Sequence, residues 1–128
     1  MSLRASIALG AAVVLAGCAL EPPPGLTDVM QRPGERALLA GLRAYEDAQY
    51  ADAERELQRA LGVGLASAKD RAAAHKHLAF IYCTSNRRGA CEAAFRAAIA
   101  ADREFVLSRA EAGHPQWGPV YRRIAAER

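Results

Sequence analysis

The residues of this 128-residue chain that could do chemistry are few: three cysteines and three histidines. A cysteine thiol can be acylated, paired in a disulfide or bound to a metal, and a histidine can bind a metal or transfer a proton. Cys18 follows an uncharged apolar stretch, whereas Cys83 and Cys91 lie eight residues apart in the second half of the chain. Because an odd number of cysteines leaves one outside any disulfide, one thiol needs a separate role.

The histidines do not have the spacing of a metal site or a catalytic centre. His75 and His77 are two residues apart in a predicted helix, so they point about 200° apart and cannot hold one ion. We interpret His75 as a packing residue and His114, which precedes Pro115, as a turn residue. The chain has no Gly-x-Ser-x-Gly motif and no glycine-rich loop after a strand. We therefore expect no enzyme activity, no metal and no small-molecule substrate.

Residues 1–17 have the pattern of a signal peptide. Arg4 gives a positive start, and the apolar stretch 5–16 is too short to span a bilayer, which needs about 20 residues. The stretch ends in Leu15-Ala16-Gly17-Cys18, which resembles the lipobox of bacterial lipoproteins. The resemblance implies cleavage before Cys18 and a covalent lipid on its thiol, the one non-protein group expected. The alternative is an ordinary secretory signal with a chance cysteine.

The resemblance also implies a location. In this family an Asp after the acylated cysteine favours retention in the inner membrane, and position 19 is Ala. We therefore expect a lipid-anchored protein on the outer membrane that faces the periplasm. Residues 18–34 are predicted to be a flexible tether, because three consecutive prolines at 22–24 lack N–H donors and favour extended backbone.

Composition predicts an all-α fold for the remainder, residues 35–128. The chain holds 30 alanines and 15 arginines but few β-branched or aromatic residues. Its net charge of +3 is small and its charged residues alternate in sign, which gives little support for nucleic-acid binding. Apolar periodicity and glycine-containing breaks predict helices at 35–48, 51–62, 67–84, 88–101 and 117–126.

The first two predicted helices resemble a tetratricopeptide repeat. The matching positions include Gly41, Tyr45, Tyr50, Ala53, Leu57 and Ala60, and a second copy aligns 38 residues later with Ala79, Tyr82, Cys91, Phe95 and Ala98. The resemblance implies two helical hairpins, with a C-terminal capping helix that covers the last one through Trp117, Tyr121 and Ile124. An unrelated bundle of four or five helices remains the alternative, and the C-terminal aromatic segment could instead bind a partner.

In this family the first helices of successive hairpins line a concave groove. The equivalent positions here are Leu38, Leu42 and Tyr45 in the first hairpin and Lys76 and Phe80 in the second. An apolar stripe of this kind predicts either a protein-docking surface or a groove that is filled by the C-terminal tail of the same chain.

Cys83 and Cys91 lie about one turn on either side of the predicted turn of the second hairpin. Antiparallel helices would bring them to a similar height, and disulfides persist in the periplasm, so we predict a disulfide between them. Two buried free thiols are the alternative, because cysteine is among the most buried residue types.

The lipobox, the proline tether, the two repeats and the segment His114-Pro-x-Trp-Gly-Pro-Val-Tyr121 together resemble the small lipoproteins associated with type VI secretion. The resemblance implies a membrane-anchored interaction scaffold that contacts envelope proteins, among them components of the secretion machine. Two other classes remain open: a lipoprotein adaptor of outer-membrane or pilus assembly, and a regulator of cell-wall hydrolases.

Overall fold

The structure is a computed structural model that describes Pro23 and residues 25–128. This part of the chain is all-α, as the composition predicts, and contains no strand. Its helices in chain order are α1 (Leu26–Gln31), α2 (Pro33–Glu46), α3 (Tyr50–Val63), α4 (Ala68–Thr84), α5 (Arg88–Ala101), α6 (Arg109–Ala112) and α7 (Gly118–Ala125).

The helices α2 and α3 form the first antiparallel hairpin. α2 begins at Pro33, since a proline's fixed φ and missing N–H suit the first helical position. The chain reverses at Ala48, which adopts a left-handed φ of 59°. α3 ends at Val63, where Gly64 takes a φ of 111° that other residues rarely adopt. Both helices lie within two residues of the predicted bounds.

The helices α4 and α5 form the second hairpin. Ser67 caps α4, because its hydroxyl accepts a hydrogen bond from the backbone N–H of Asp70 at 3.3 Å. The turn to α5 passes through Asn86 at a φ of 61°, a conformation that asparagine tolerates better than most residues. The predicted helices 67–84 and 88–101 agree with α4 and α5 to within one residue.

Residues 38 positions apart are buried alike in the two hairpins. Gly41 and Ala79, which pair in this register, are both buried where their helices approach the partner helix. Three further pairs have all their members fully buried: Ala53 and Cys91, Leu57 and Phe95, and Ala60 and Ala98. The internal repeat inferred from the sequence is therefore also a repeat of core positions.

The two hairpins are joined at the end of the molecule that carries their turns. The side-chain amide of Gln58 on α3 donates to the hydroxyl of Tyr82 on α4 at 3.0 Å. Arg87, in the turn between α4 and α5, forms a bidentate pair with Glu54 at 2.8 and 2.7 Å. These contacts set α3 against α4, so α2 and α4 line the same side of the molecule.

The C-terminal tail covers the second hairpin, as expected for a cap. Trp117, Tyr121 and Ile124 are all buried, and α7 packs on α5. The Tyr121 ring lies 5.5 Å from Phe95, and its hydroxyl accepts a hydrogen bond from the backbone N–H of Leu107 at 3.2 Å. The cap therefore satisfies a buried backbone donor as well as covering apolar surface.

The structure corrects the extent of the tether. Part of the predicted flexible segment 18–34 is helical, because Leu26–Gln31 forms α1 and packs on α2. The Asp28 carboxylate accepts a hydrogen bond from the Gly25 N–H at 3.1 Å and fixes the start of this helix. Pro33 and Gly34, expected to close the tether, instead form the first turn of α2. The folded part of the chain thus begins before residue 35.

Candidate functional site

A row of aromatic rings crosses the side of the molecule that α2 and α4 line. Tyr45 on α2 meets the ring of Tyr50 edge-on at 5.5 Å and lies 6.4 Å from the ring of Phe80 on α4. Phe80 stacks on Trp117, with ring centroids 4.1 Å apart and planes inclined by 20°. The His114 ring also stacks on Trp117, with ring centroids 3.4 Å apart and planes inclined by 4°. The row thus links the first hairpin, the second hairpin and the tail.

His77 packs against two rings of this row. Its ring meets Tyr45 at 5.0 Å and Phe80 at 5.8 Å, and its Nδ1–H donates to the Ala73 carbonyl at 2.8 Å. Burial is the largest influence on this imidazole and lowers the pKa of His77 below its usual 6.5. The ring is therefore neutral near pH 7 and acts as a packing group.

The C-terminal tail fills the half of the groove that α4 contributes. Phe80 is only 3% exposed under Trp117. The Lys76 ammonium forms an ion pair with the Glu111 carboxylate at 2.8 Å. The Trp117 indole N–H donates to the Glu111 carbonyl at 2.7 Å, so one tail residue binds both α4 and the indole. Of the two occupants that the sequence left open, the tail occupies this half.

The predicted groove residues consequently separate into three groups. Leu38 is buried in the core, 6% exposed, and is not a groove residue; Leu42 is half-buried against the same core. Lys76 and Phe80, for which the sequence left open a partner or the tail, are engaged by the tail. Tyr45 lines a cleft that the tail leaves open, whereas Lys76 borders a separate pocket beside Asp102 and Phe105. Of the predicted groove residues, the cleft beside the tail therefore contains Tyr45, with other residues gathered around it.

The open part is a cleft of about 430 Å³ where α2, α4 and the tail meet. Aromatic rings form much of its wall, and hydroxyl and amide groups from the end of α4 and from the tail supply polar contacts. Its lining includes Tyr45, Tyr50, Thr84, Ser85, Gln116 and Trp117. Tyr50 is 49% exposed at its mouth, an unusual position for a large aromatic side chain in a small domain.

The electrostatics around Tyr45 keep its hydroxyl neutral. Burial raises the pKa of Tyr45, and the nearby Tyr50 and Glu111 add to the effect. Because Tyr45 stays protonated at neutral pH, its hydroxyl can donate and accept hydrogen bonds but cannot act as a base. Burial also lowers the pKa of His75, which lies on α4 outside this cleft. The cleft can thus offer aromatic surface and hydroxyl and amide hydrogen-bonding groups to a ligand.

Cys83 and Cys91 are joined in a disulfide next to this cleft. Their Cα atoms are 5.1 Å apart, the separation expected for bonded cysteines on the facing helices α4 and α5. Cys91 is fully buried, and Cys83 directly precedes Thr84 and Ser85 in the cleft wall. The bond therefore ties one wall of the cleft to the core of the second hairpin.

Sequence reasoning missed most of the cleft lining, including Tyr50, His114 and the polar residues of α4 and the tail, and it missed the supporting Glu111. Tyr50 had been assigned to the repeat pattern, and His114 to a turn. A signal for Glu111 was present, because Ser108 and Glu111 have the spacing of a capping box, and both of its hydrogen bonds form at α6. The ion pair of Glu111 with Lys76 depends on tertiary packing, which no local pattern encodes.

Several sequence-based predictions concern features beyond this site. Cys18 and the predicted signal peptide 1–17 lie outside the described residues. Within the described part, no group of three or more His, Cys, Asp or Glu side chains is arranged to hold a metal ion. In the same part of the chain, no helix has both the length and the apolar character needed to traverse a bilayer.

Comparison of the chain with protein-family models, with curated proteins and with solved structures finds no match.

Proposed function

We propose that this protein is a membrane-anchored interaction scaffold of the bacterial envelope. It is exported, acylated on Cys18 and held on the outer membrane facing the periplasm, where its helical domain docks other proteins. Its role is accessory, in the assembly of a type VI secretion machine. The lipobox-like segment supports the anchor, and the resemblance of the repeats and of the segment 114–121 supports the machine.

The observation that carries the docking role is the aromatic cleft beside Tyr45. Tyrosine and tryptophan are enriched where proteins bind one another, because they combine a large apolar surface with a polar group. Tyr45 and Tyr50 present such surface in the cleft, and Trp117 of the tail lines it as well. The tail leaves this part of the groove open, so a partner segment could enter it.

The neutral state of Tyr45 and of His77 behind it supports a binding role for this surface. Tyr45 has a raised pKa and His77 a lowered one, so neither offers a base or an acid suited to proton transfer at pH 7. A partner segment would therefore be recognised by aromatic contact and by hydrogen bonds to groups such as Thr84 and Ser85. We expect contacts to proteins, not turnover of a small molecule.

Site-specific photocrosslinking tests this function in the full-length lipoprotein in its native host. A photoreactive phenylalanine replaces Tyr50 in one strain and Arg59 in the other. Both positions are exposed on α3, but only Tyr50 lies at the cleft. We expect a crosslink from position 50 to an envelope component of the secretion machine, and none from position 59.

Other outcomes would redirect or refute the proposal. A crosslink to a cell-wall hydrolase or to an outer-membrane assembly component would replace the secretion role by one of the two alternatives. Equal crosslinking from both positions would remove the docking role of the cleft. Membrane fractionation of a Cys18→Ser variant checks the anchor separately, and full processing with unchanged membrane association would contradict it.

A further inference from the structure

Three arginines form a stripe along the outer side of α2. Arg36 and Arg43 are seven residues, or two turns, apart, and Arg32 precedes Arg36 by one turn. All three are exposed. Gly41, which packs against α3, is two residues from Arg43 and so about 200° around the helix from it. The stripe therefore faces away from the core, although charges alternate in sign along the linear sequence.

The three guanidinium groups differ from most cations of the described residues in having no partner there. Arg55, Arg59, Lys76, Arg87, Arg88, Arg96 and Arg123 pair with carboxylates, and Arg71, Arg122 and Arg128 donate to backbone carbonyls. Glu46 ends α2 and Asp47 follows it, but neither forms an ion pair with Arg43 in the described part of the chain. Among the described residues the stripe is thus unpaired, as a site for an external anion requires.

The lipid anchor proposed above would keep this stripe close to a membrane. Gly25 is seven positions after Cys18, and a fully extended chain of that length reaches about 25 Å at most. Gly25 precedes α1, which packs on α2 beside Arg32. Leu26, at the start of α1, is 78% exposed and adds an apolar group at this end of the molecule.

We propose that the arginine stripe of α2 binds anionic phospholipid headgroups and lays the anchored domain on its N-terminal hairpin. This inference rests on the proposed acylation of Cys18 for its biological setting. Guanidinium groups bind phosphate oxygens in bidentate geometry, and clustered basic residues strengthen attachment to anionic membranes. A lipid chain combined with a basic surface also holds a protein more firmly than either alone. Tyr45 is two residues from Arg43 and so about 200° around α2 from it, which turns the cleft away from the bilayer and toward partners in this orientation.

Vesicle binding tests the stripe without depending on acylation. The protein is the chain from residue 18 onward with Cys18→Ser, which retains the whole hydrophobic core. The test variant carries Arg32→Gln, Arg36→Gln and Arg43→Gln. The matched control carries Lys69→Gln, Arg103→Gln and Arg109→Gln, which removes the same charge from three cations that also have no described partner but lie on other elements. Circular dichroism confirms that each variant is folded.

We expect the parent protein to sediment with vesicles of phosphatidylcholine and phosphatidylglycerol at low salt, and not with phosphatidylcholine alone. The stripe variant should bind about tenfold or more weakly, and the control variant should bind nearly as well as the parent. Equal losses in the two variants, or no preference for anionic vesicles, would overturn the proposal. Binding of a polyglutamate peptide through the stripe without vesicle binding would also overturn it and would assign the stripe to an acidic protein. A lack of acylation at Cys18 would leave these vesicle results unchanged, so the two failures are distinguishable.

Discussion

The indole of Trp117 lies nearly flat on the ring of Phe80, with centroids 4.1 Å apart, and joins the tail to the second hairpin. Repeat arrays bury each unit against its neighbours, so an array of two hairpins has an unprotected last unit. Here the tail takes the place of a third hairpin. One stacked pair therefore has two consequences, because it completes the core and limits the open groove to the cleft beside Tyr45.

Loss of this stack should strongly destabilise the fold. We expect Trp117→Ala and Phe80→Ala each to lower the free energy of unfolding by about 3 kcal/mol, because both remove large buried rings. The double variant should lose about 1 kcal/mol less free energy of unfolding than the two single variants lose together. That difference is the coupling energy of the stacked pair. Urea unfolding followed by circular dichroism measures these values. Tyr50→Ala, at a half-exposed ring, is the control and should cost about 1 kcal/mol at most. A similarly small loss for Trp117→Ala would contradict the packing of the tail.

The hairpins were predictable because their signals are local. Apolar spacing and the breaks at Gly62–Gly64 and Ser85–Asn86 predict four helices. Both ends of each predicted helix lie within two residues of the ends of α2, α3, α4 and α5. The occupancy of the groove was not predictable, since the spacing of Lys76 and Phe80 is the same whether a tail or a partner covers them. The short helix α1 was also missed, because its six residues are too few to show a periodic pattern.

The close approach of α2 and α3 at Gly41 predicts a contrast between two glycines. A Cβ added at Gly41 would lie 2.8 Å from Leu57 Cγ and 3.1 Å from its backbone nitrogen, so the helices would have to separate. We expect Gly41→Ala to destabilise the protein by about 1–2 kcal/mol, because overpacking outweighs the better helix propensity of alanine. Gly62→Ala, on α3 with no atom within 4 Å of the added Cβ, should instead stabilise it by about 0.5–1 kcal/mol. Thermal unfolding of both variants checks the prediction, and stabilisation by both would refute the close approach.

The ion pair between Lys76 and Glu111 predicts acid sensitivity of the tail. Burial alone would raise the pKa of Glu111, but the hydrogen bonds from Lys76 and from the Ser108 backbone outweigh it, and the pKa lies below its usual 4.5. A carboxylate with a lowered folded-state pKa stabilises the fold above its unfolded pKa, and this contribution is lost as pH falls through the folded value. Glu111→Gln should therefore destabilise the protein at pH 7, by about 0.5–1 kcal/mol for a partly exposed pair, and by less at pH 3. Urea unfolding from pH 7 to 3 measures the difference, and a constant gap between variant and parent would exclude the pair as its cause.

The disulfide between Cys83 and Cys91 should form in exported protein and stabilise the second hairpin. The bond closes a short loop, and chain-entropy arguments give about 2–3 kcal/mol for it. Reduction of the parent protein is the cleanest comparison, because Cys91 is fully buried and an alanine there would also leave a cavity. Alkylation without reductant followed by mass spectrometry detects the bond directly.

We expect no modification of either cysteine before reduction, and a lower midpoint of urea unfolding after it. Since Cys83 directly precedes Thr84 and Ser85, reduction should also loosen that wall of the cleft, which hydrogen exchange of their backbone amides would detect. Two alkylated thiols in folded, exported protein would refute the bond. A bonded pair whose reduction leaves both stability and exchange unchanged would show that packing of Cys91, rather than the covalent link, fixes this end of α4.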